Sequence, residues 1–383
     1  VRYECVPMRF IKHVYKIHTY AQDGRLFEGK TPVSAFLNSS YDGSFIAGLM
    51  ELRYIQSLPV ERIINYFESH GFTLKKPTAH KLMEKASSLF ENLYKCIRQT
   101  ALSDPYKAAD ETYYKILVPE KNSKGKGVRK GYLWVVVGIN TRMIYLLYDD
   151  GSRSEKVILN ELGGCKGIIQ SDGYSPYRKL ESDAYPHITR IPCLQHIKRK
   201  FIDCGEDDPD AKRIVEMINT LYQNEHKHKI GVDGWTVEQN LVHRKKYAPD
   251  ILGEIKDVLD DIEERGDLLP KSELKEAITY LRNEWNAVVD IFNYGDTYLD
   301  NNIVERMNRY ISLSRKNSLF FGSHKGAERG AILYTIALTC RMNKVNLFEY
   351  LTDVINRTAE WQPNTPLEKY RLLLPDRWEK AND

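Results

Sequence analysis

The feature that most limits what this chain can become is a change of period in its middle. Residues 108–117, 132–139, 143–148, 167–170 and 188–193 are short runs rich in β-branched and aromatic side chains. The stretches before and after them repeat apolar positions at helical spacing. A helical segment at 154–162 and a shorter one ahead of residue 188 interrupt the runs. Three strands joined by short turns, then helix, strand, short helix and strand, predict a mixed α/β sheet with helices on its faces. That is the order of a ribonuclease H-like core, parts of which other α/β folds share.

The flanks set the domain plan. Residues 8–20 interleave β-branched and aromatic with basic side chains and predict an edge strand with one wet face, followed by a Pro, Gly and Ser-rich linker from 23 to 44. Residues 1–44 are thus a β segment and linker, and they open on Val1 as a chain shortened at its N-terminus would. Residues 45–102 are helical. Pro59 opens a helix through Val60, Ile63, Ile64 and Phe67, Gly71 stops it, and Pro77-Thr78 opens another. The second helix offers Thr78, His80, Lys81 and Lys85 near its N-terminal half, the part that a helix-turn-helix inserts into the major groove. A helical hairpin with a solvated basic face fits the same residues.

The first part of the core occupies 103–204. Over 205–292 apolar steps at Ile214, Ile218 and Leu221, at Ile251, Ile255, Val258 and Ile262, and at Leu274, Ile278, Leu281, Trp285 and Val288 predict a helical bundle inserted into the α/β core. The core resumes over 293–345, with a polar helix start at Asp300-Asn301-Asn302, and a helical tail fills 346–383.

Lys and Arg number 56 against 52 Asp and Glu, a formal charge of +4, so a nucleic-acid footprint must come from where the charge sits. Six cysteines without a Cys-x-x-Cys pair argue against a disulfide framework and against a four-cysteine zinc site, and fit a reducing cytosol. No run of 18 apolar residues and no apolar opening segment predicts a membrane span or a signal peptide.

Three carboxylates stand out. Asp110 lies in what reads as the first, central strand, on the face opposite Glu111, where burial demands a partner, a proton or a metal. Asp172 follows an apolar run and precedes Gly173, at the C-terminal edge of a strand, where open α/β sheets place their chemistry. Glu305 belongs to a helix whose spacing groups it with Asn301, Asn302, Asn308 and Arg309, opposite Ile303, Val304, Met307 and Ile311. Asn is a poor helix former, so this amide enrichment needs a reason. Two strand-end carboxylates and one on a helix are what two-metal phosphoryl transfer requires. Gly-x-Ser-x-Gly, Walker and His-Glu-x-x-His motifs are absent.

The order and spacing of several motifs resemble the insertion sequence 66 family of bacterial transposases, over roughly residues 45 to 355. They are Ala109-Asp110-Glu111-Thr112, Gly131-Tyr132-Leu133-Trp134, Gln170-Ser171-Asp172-Gly173-Tyr174, Cys193-Leu194-Gln195-His196, Asp300-Asn301-Asn302 with Glu305-Arg306, Arg315-Lys316-Asn317 and Phe321-Gly322-Ser323. The resemblance implies a DDE transposase with Asp110, Asp172 and Glu305 as metal-binding catalytic carboxylates and two Mg²⁺ or Mn²⁺ ions. It would cleave DNA at element ends and join the 3′-hydroxyl to target DNA. Residues 1–31 would be the tail of the family's zinc-binding region, without its cysteine pairs. The implied partners are the terminal repeats, target DNA, a second protomer and accessory transposition proteins, in the bacterial cytoplasm.

Beside such carboxylates the basic residues Lys198, Arg199, Lys200, Arg306, Arg309, Arg315 and Lys316, and Lys124, Lys126, Arg129 and Lys130 in a hairpin, are expected to position phosphates. Cys193 and His196 are expected to be structural, since thiols ligate Mg²⁺ poorly. Cys204 and His187 are the residues that would complete a zinc set with them. A ribonuclease H-like nuclease or resolvase would cut without joining, and a domesticated DNA-binding regulator would have lost the chemistry.

Overall fold

The computed structural model describes residues 1–29, 34–36, 39–121, 125, 127–205, 207–362 and 364–380. Its first elements correct the expectation for the N-terminus. Strands β1 (Thr19–Gln22) and β2 (Arg25–Glu28) pair only with each other, in an exposed antiparallel hairpin, and residues 1–18 form no strand. The edge strand read over 8–20 therefore exists only at its end. A strand needs a partner for its backbone groups, and this segment finds none. Phe10 anchors it instead, with ring centroids 5.9, 4.9 and 4.6 Å from those of Phe45, Phe67 and Phe72. The hairpin fills the start of the expected linker, of which residues 30–33 and 37–38 lie outside the described residues.

Helix α1 (Gly43–Met50) starts on Asp42, whose carboxylate accepts from the Phe45 N–H, and it runs on through a wider turn to Ile55. Helices α2 (Val60–Ser69) and α3 (Lys76–Leu89) form the expected pair, and Gly71 between them takes a left-handed φ of 81°, which only glycine adopts without strain. Helix α4 (Glu91–Leu102) leads into the sheet.

Strands β3 (Tyr106–Leu117), β4 (Val128–Gly138) and β5 (Met143–Leu147), helix α5 (Glu155–Leu162), strand β6 (Gly167–Ser171), the short helix α6 (Ser175–Arg178) and strand β7 (Ile188–Pro192) follow in the predicted order. They build one five-stranded sheet in the order β5-β4-β3-β6-β7, with β3 central. β3–β4 and β4–β5 are antiparallel, β3–β6 and β6–β7 parallel. Neighbours Trp134 and Val135 point to opposite faces yet are both fully buried, so helices cover the sheet on both sides.

Helix α7 (Leu194–Asp203) leads to the insertion, α8 (Pro209–Glu225), α9 (Val237–Glu264) and α10 (Glu273–Ile291). α9 is longer than its apolar steps from Ile251 foretold: it starts on a Thr236–Gln239 capping box and passes through Pro249. Pro249 faces solvent, so the carbonyl it deprives of an amide is open to water. The bundle is no separate body. Ile278, Leu281 and Val288 of α10 share one core with Ile191 of β7 and with Leu194 and Ile197 of α7. The chain then returns through α11 (Asn302–Asn317), α12 (His324–Met342), α13 (Leu347–Thr358) and α14 (Leu367–Arg371). The return is pinned where Gln170 of β6 donates to the Tyr298 carbonyl at 2.8 Å and accepts from the Tyr106 hydroxyl at 2.6 Å.

Candidate active site

Register places the first two carboxylates. β3 and β6 run parallel with Ala108 opposite Gln170, so two residues further on Asp110, still paired with Val135 inside β3, and Asp172, just past the end of β6, stand on adjacent strands. Asp110 Oδ1 accepts from the Glu111 N–H at 2.8 Å and Oδ2 accepts from the Asn308 amide at 2.8 Å. Burial, then the charges of Glu111 and Asp172, push the Asp110 carboxyl up to about 7. Asp172 Oδ1 accepts from the Tyr174 N–H at 3.1 Å. Glu111 is taken up by the guanidinium of Arg153, whose Nε lies at 3.0 Å.

The third carboxylate keeps different company. Val304 and Ile311 bury one side of α11, and the amide-bearing side rests on the sheet edge, where Asn301 Nδ2 donates to the Ala109 carbonyl at 3.0 Å and Asn308 meets Asp110. The amides expected on one helix face divide: Asn301 and Asn308 turn inward, whereas Asn302 and Arg309 are exposed. Asp300 Oδ1 accepts from the Asn302 N–H at 3.1 Å, while the N-cap position falls to Asn301, whose side chain makes no capping bond. Glu305 Oε1 lies 3.8 Å from His196 Nε2, and Oε2 lies 3.9 Å from Arg199.

Ligand atoms of Cys193, His196 and Glu305 all fall within 4.8 Å of one another. The Cys193 sulfur accepts from the Asn301 N–H at 3.2 Å, and burial pushes its thiol up to about 12. Among the described residues Glu305 Oε1 and His196 Nδ1 are buried without a hydrogen-bond partner. Cys204 donates to the Lys200 carbonyl at 3.3 Å and His187 is exposed ahead of β7, so neither completes a metal set with Cys193 and His196.

The basic residues separate into two kinds. Arg199, Lys200, Arg306, Arg309 and Lys316 are exposed on α7 and α11, and Lys198 is half-buried. Arg315 is bound to the sheet, donating to the Tyr113 carbonyl at 2.5 Å with its guanidinium 3.9 Å from the Tyr113 ring centre. The Lys130 ammonium lies 4.2 Å from the same ring centre, Arg129 is exposed, and Lys124 and Lys126 lie outside the described residues. On α3 Lys81 is exposed, while Lys85 holds its ammonium 5.5 Å over the Phe36 ring.

Sequence reasoning missed Arg190 and Tyr280, which bond the backbone at Asp172 and Gly173, and Glu284, which accepts from the Arg190 guanidinium. The signals were a lone charge inside the apolar run of β7 and a carboxylate on the apolar stripe of α10.

Among the described residues no helix is long and apolar enough to cross a membrane. Three curated proteins of Sinorhizobium fredii (strain NBRC 101917 / NGR234), each named only as uncharacterized, are similar to this chain. y4jD is 26% identical over 87% of the chain and 65% of its own length, and y4hP is 24% identical over 99% and 70%. y4qI is 26% identical over 96% of the chain and 69% of its own length, so this chain spans about two thirds of each relative. Asp110 within β3, Asp172 just past the parallel strand β6 and an amide-rich helix laid against β3 all fall within residues 38–329, which match the model of the family described as Transposase IS66 family, and the chain belongs to that family.

Proposed function

We propose that the chain is a DDE transposase on a ribonuclease H-like core, cleaving DNA at insertion-element ends and joining the freed 3′-hydroxyl to target DNA. The observation that carries this reading is the pairing of Ala108 with Gln170, which puts Asp110 and Asp172 on adjacent strands, with the first carboxyl raised by burial and then by the charges of Glu111 and Asp172. The order β5-β4-β3-β6-β7, antiparallel then parallel about a central first core strand, is that of a ribonuclease H fold and supports the same reading.

The donor set suits hard divalent cations: Asp110 and Asp172 offer only carboxylate oxygens, and Glu305 has a buried oxygen without a partner. These three residues would hold two Mg²⁺ or Mn²⁺ ions, which when bound activate the attacking oxygen and stabilise the leaving one. Asn308 fixes the rotamer of Asp110 through its amide, and the Tyr174 N–H does the same for Asp172. Asp300 binds the first amide of α11, and Glu305 lies three residues before Asn308, the residue through which the helix meets Asp110. Lys198, Arg199, Lys200, Arg306, Arg309 and Lys316 supply phosphate contacts beside the carboxylates, Lys81 and Lys85 supply a second contact on α3, and Arg315 acts by holding α11 to β3. Cys193 and His196 are structural, joining the starts of α7 and α11. Two ends must be handled together, so the working unit is at least a homodimer, in the bacterial cytoplasm.

The test is strand transfer by the full chain from a pre-cleaved terminal-repeat end into plasmid DNA with Mn²⁺. Joined product is expected, and Asp110→Asn and Asp172→Asn should each lower it at least about a thousandfold while still binding DNA. Cleavage without joining would make the protein a nuclease, and binding without either would make it a regulator.

A further inference from the structure

The inserted bundle does more than fill the gap between Asp172 and Glu305. Tyr280 and Glu284 lie one turn apart on α10 and both face the end of β6. The Gly173 N–H donates to the Tyr280 hydroxyl at 2.8 Å, and the ring lies so close that a Cβ on Gly173 would sit 2.5–2.7 Å from Tyr280 atoms. Only glycine fits there. Arg190 of β7, wholly buried, donates through one nitrogen to the Asp172 carbonyl at 2.7 Å and to Glu284 Oε2 at 2.6 Å, and through Nε to the Ser171 hydroxyl at 3.1 Å. The bonds that Tyr280 and Arg190 make to this segment grip its backbone or the Ser171 hydroxyl, while the Asp172 carboxylate accepts from the Tyr174 N–H in a turn contact.

Stability alone does not explain the arrangement. Taking Arg190 and Glu284 out of water costs several kcal/mol per ion, and apolar residues of similar volume would join α10 to β7 as well or better. What the polar cluster adds is directional bonds to the Asp172 carbonyl and the Gly173 N–H, and so one geometry for the peptide units it holds, although Glu284 Oε1 itself has no hydrogen-bond partner. We infer that α10 is a positioning element for the second carboxylate, with Tyr280 directly and Glu284 through Arg190 fixing the Asp172–Gly173 backbone so that Asp172 meets a divalent cation in one orientation. This rests on the reading of Asp172 as a metal ligand.

The experiment measures Mn²⁺ binding to the metal-stripped full chain by electron paramagnetic resonance, alongside the Mn²⁺ dependence of strand transfer. Tyr280→Phe removes one oxygen and keeps the ring. Glu284→Gln keeps the shape and removes the charge. Each should weaken Mn²⁺ binding about ten- to a hundredfold, as loss of a residue supporting a metal ligand does. Saturating Mn²⁺ should restore most of the transfer rate, and DNA affinity should not change. Wild-type Mn²⁺ affinity in both variants, even with a lowered melting temperature, would mean that the contact only docks the bundle and would overturn the inference. If Asp172→Asn binds Mn²⁺ as the wild type does, the assignment of Asp172 fails and the inference falls with it. Normal binding confined to the α10 variants leaves that assignment standing.

Discussion

The two sides of the candidate site are built by different means. Asp110 and Asp172 stand on paired strands, where the hydrogen-bond ladder fixes where each residue leaves the sheet. Glu305 stands on a helix, where burial of Val304 and Ile311 fixes only which stripe faces the sheet, and a side chain with three torsions then chooses among neighbours. It faces His196, Arg199 and Cys193, while Asn308 from the next turn occupies Asp110. A sheet sets a carboxylate by register, whereas a helix sets it by rotation and leaves the last choice to whatever cation or partner arrives.

The largest effect that would sharpen this comparison is on α11. Glu305→Gln should abolish cleavage and joining, a fall of about a thousandfold or more, with DNA binding nearly intact. Asp300→Asn keeps an acceptor for the Asn302 N–H and should retain most activity. Cleavage surviving in Glu305→Gln, or equal losses in both variants, would show that the third carboxylate is assigned wrongly.

A smaller effect lies on the strand side, in stability without metal. The Asp110 carboxyl is raised from 3.8 to about 7 in the fold, so its contribution is fully present below about pH 4 and is lost as pH rises through about 7. Over that window the metal-free wild type should lose stability relative to Asp110→Asn, by at most on the order of 4 kcal/mol. Calorimetric melting of both proteins from acid to neutral pH reads this directly. A constant difference would mean that burial and the neighbouring carboxylates do not raise Asp110, and the contrast between the two sides would disappear.

The smallest effect is expected at Cys193. Cys193→Ser keeps an acceptor for the Asn301 N–H and should cost about 1 kcal/mol of stability with transfer activity close to wild type. Elemental analysis should find no stoichiometric zinc in either protein. One zinc per chain, lost in Cys193→Ser, would turn the Cys193, His196 and Glu305 corner into a metal centre and take Glu305 away from the Asp pair.

Much of this was open to inspection in the chain itself. Strand positions were legible to within a few residues because β-branched and aromatic runs mark them, and the largest shift has a tertiary cause. β4 starts at Val128 because the far end of β3, out to Leu117, pairs with it, carrying polar Arg129 and Lys130 into a ladder that their side chains do not advertise. The N-terminal run failed in the opposite direction: residues 8–18 have strand composition and no strand to pair with.

What the amino-acid sequence determined alone is the kind and order of the sheet elements and the run of long helices between Asp172 and Glu305. These follow from local periodicity and turn chemistry, both of which act over a few residues. Tertiary structure alone decided the pairing of Ala108 with Gln170, the diversion of Arg315 to Tyr113, the turn of Glu305 towards His196 and the grip of Arg190, Tyr280 and Glu284 on the Asp172–Gly173 backbone. Such contacts join residues far apart in the chain, and their partners are chosen by the shape left when the sheet and the bundle share one core. A short window of sequence carries no record of that shape.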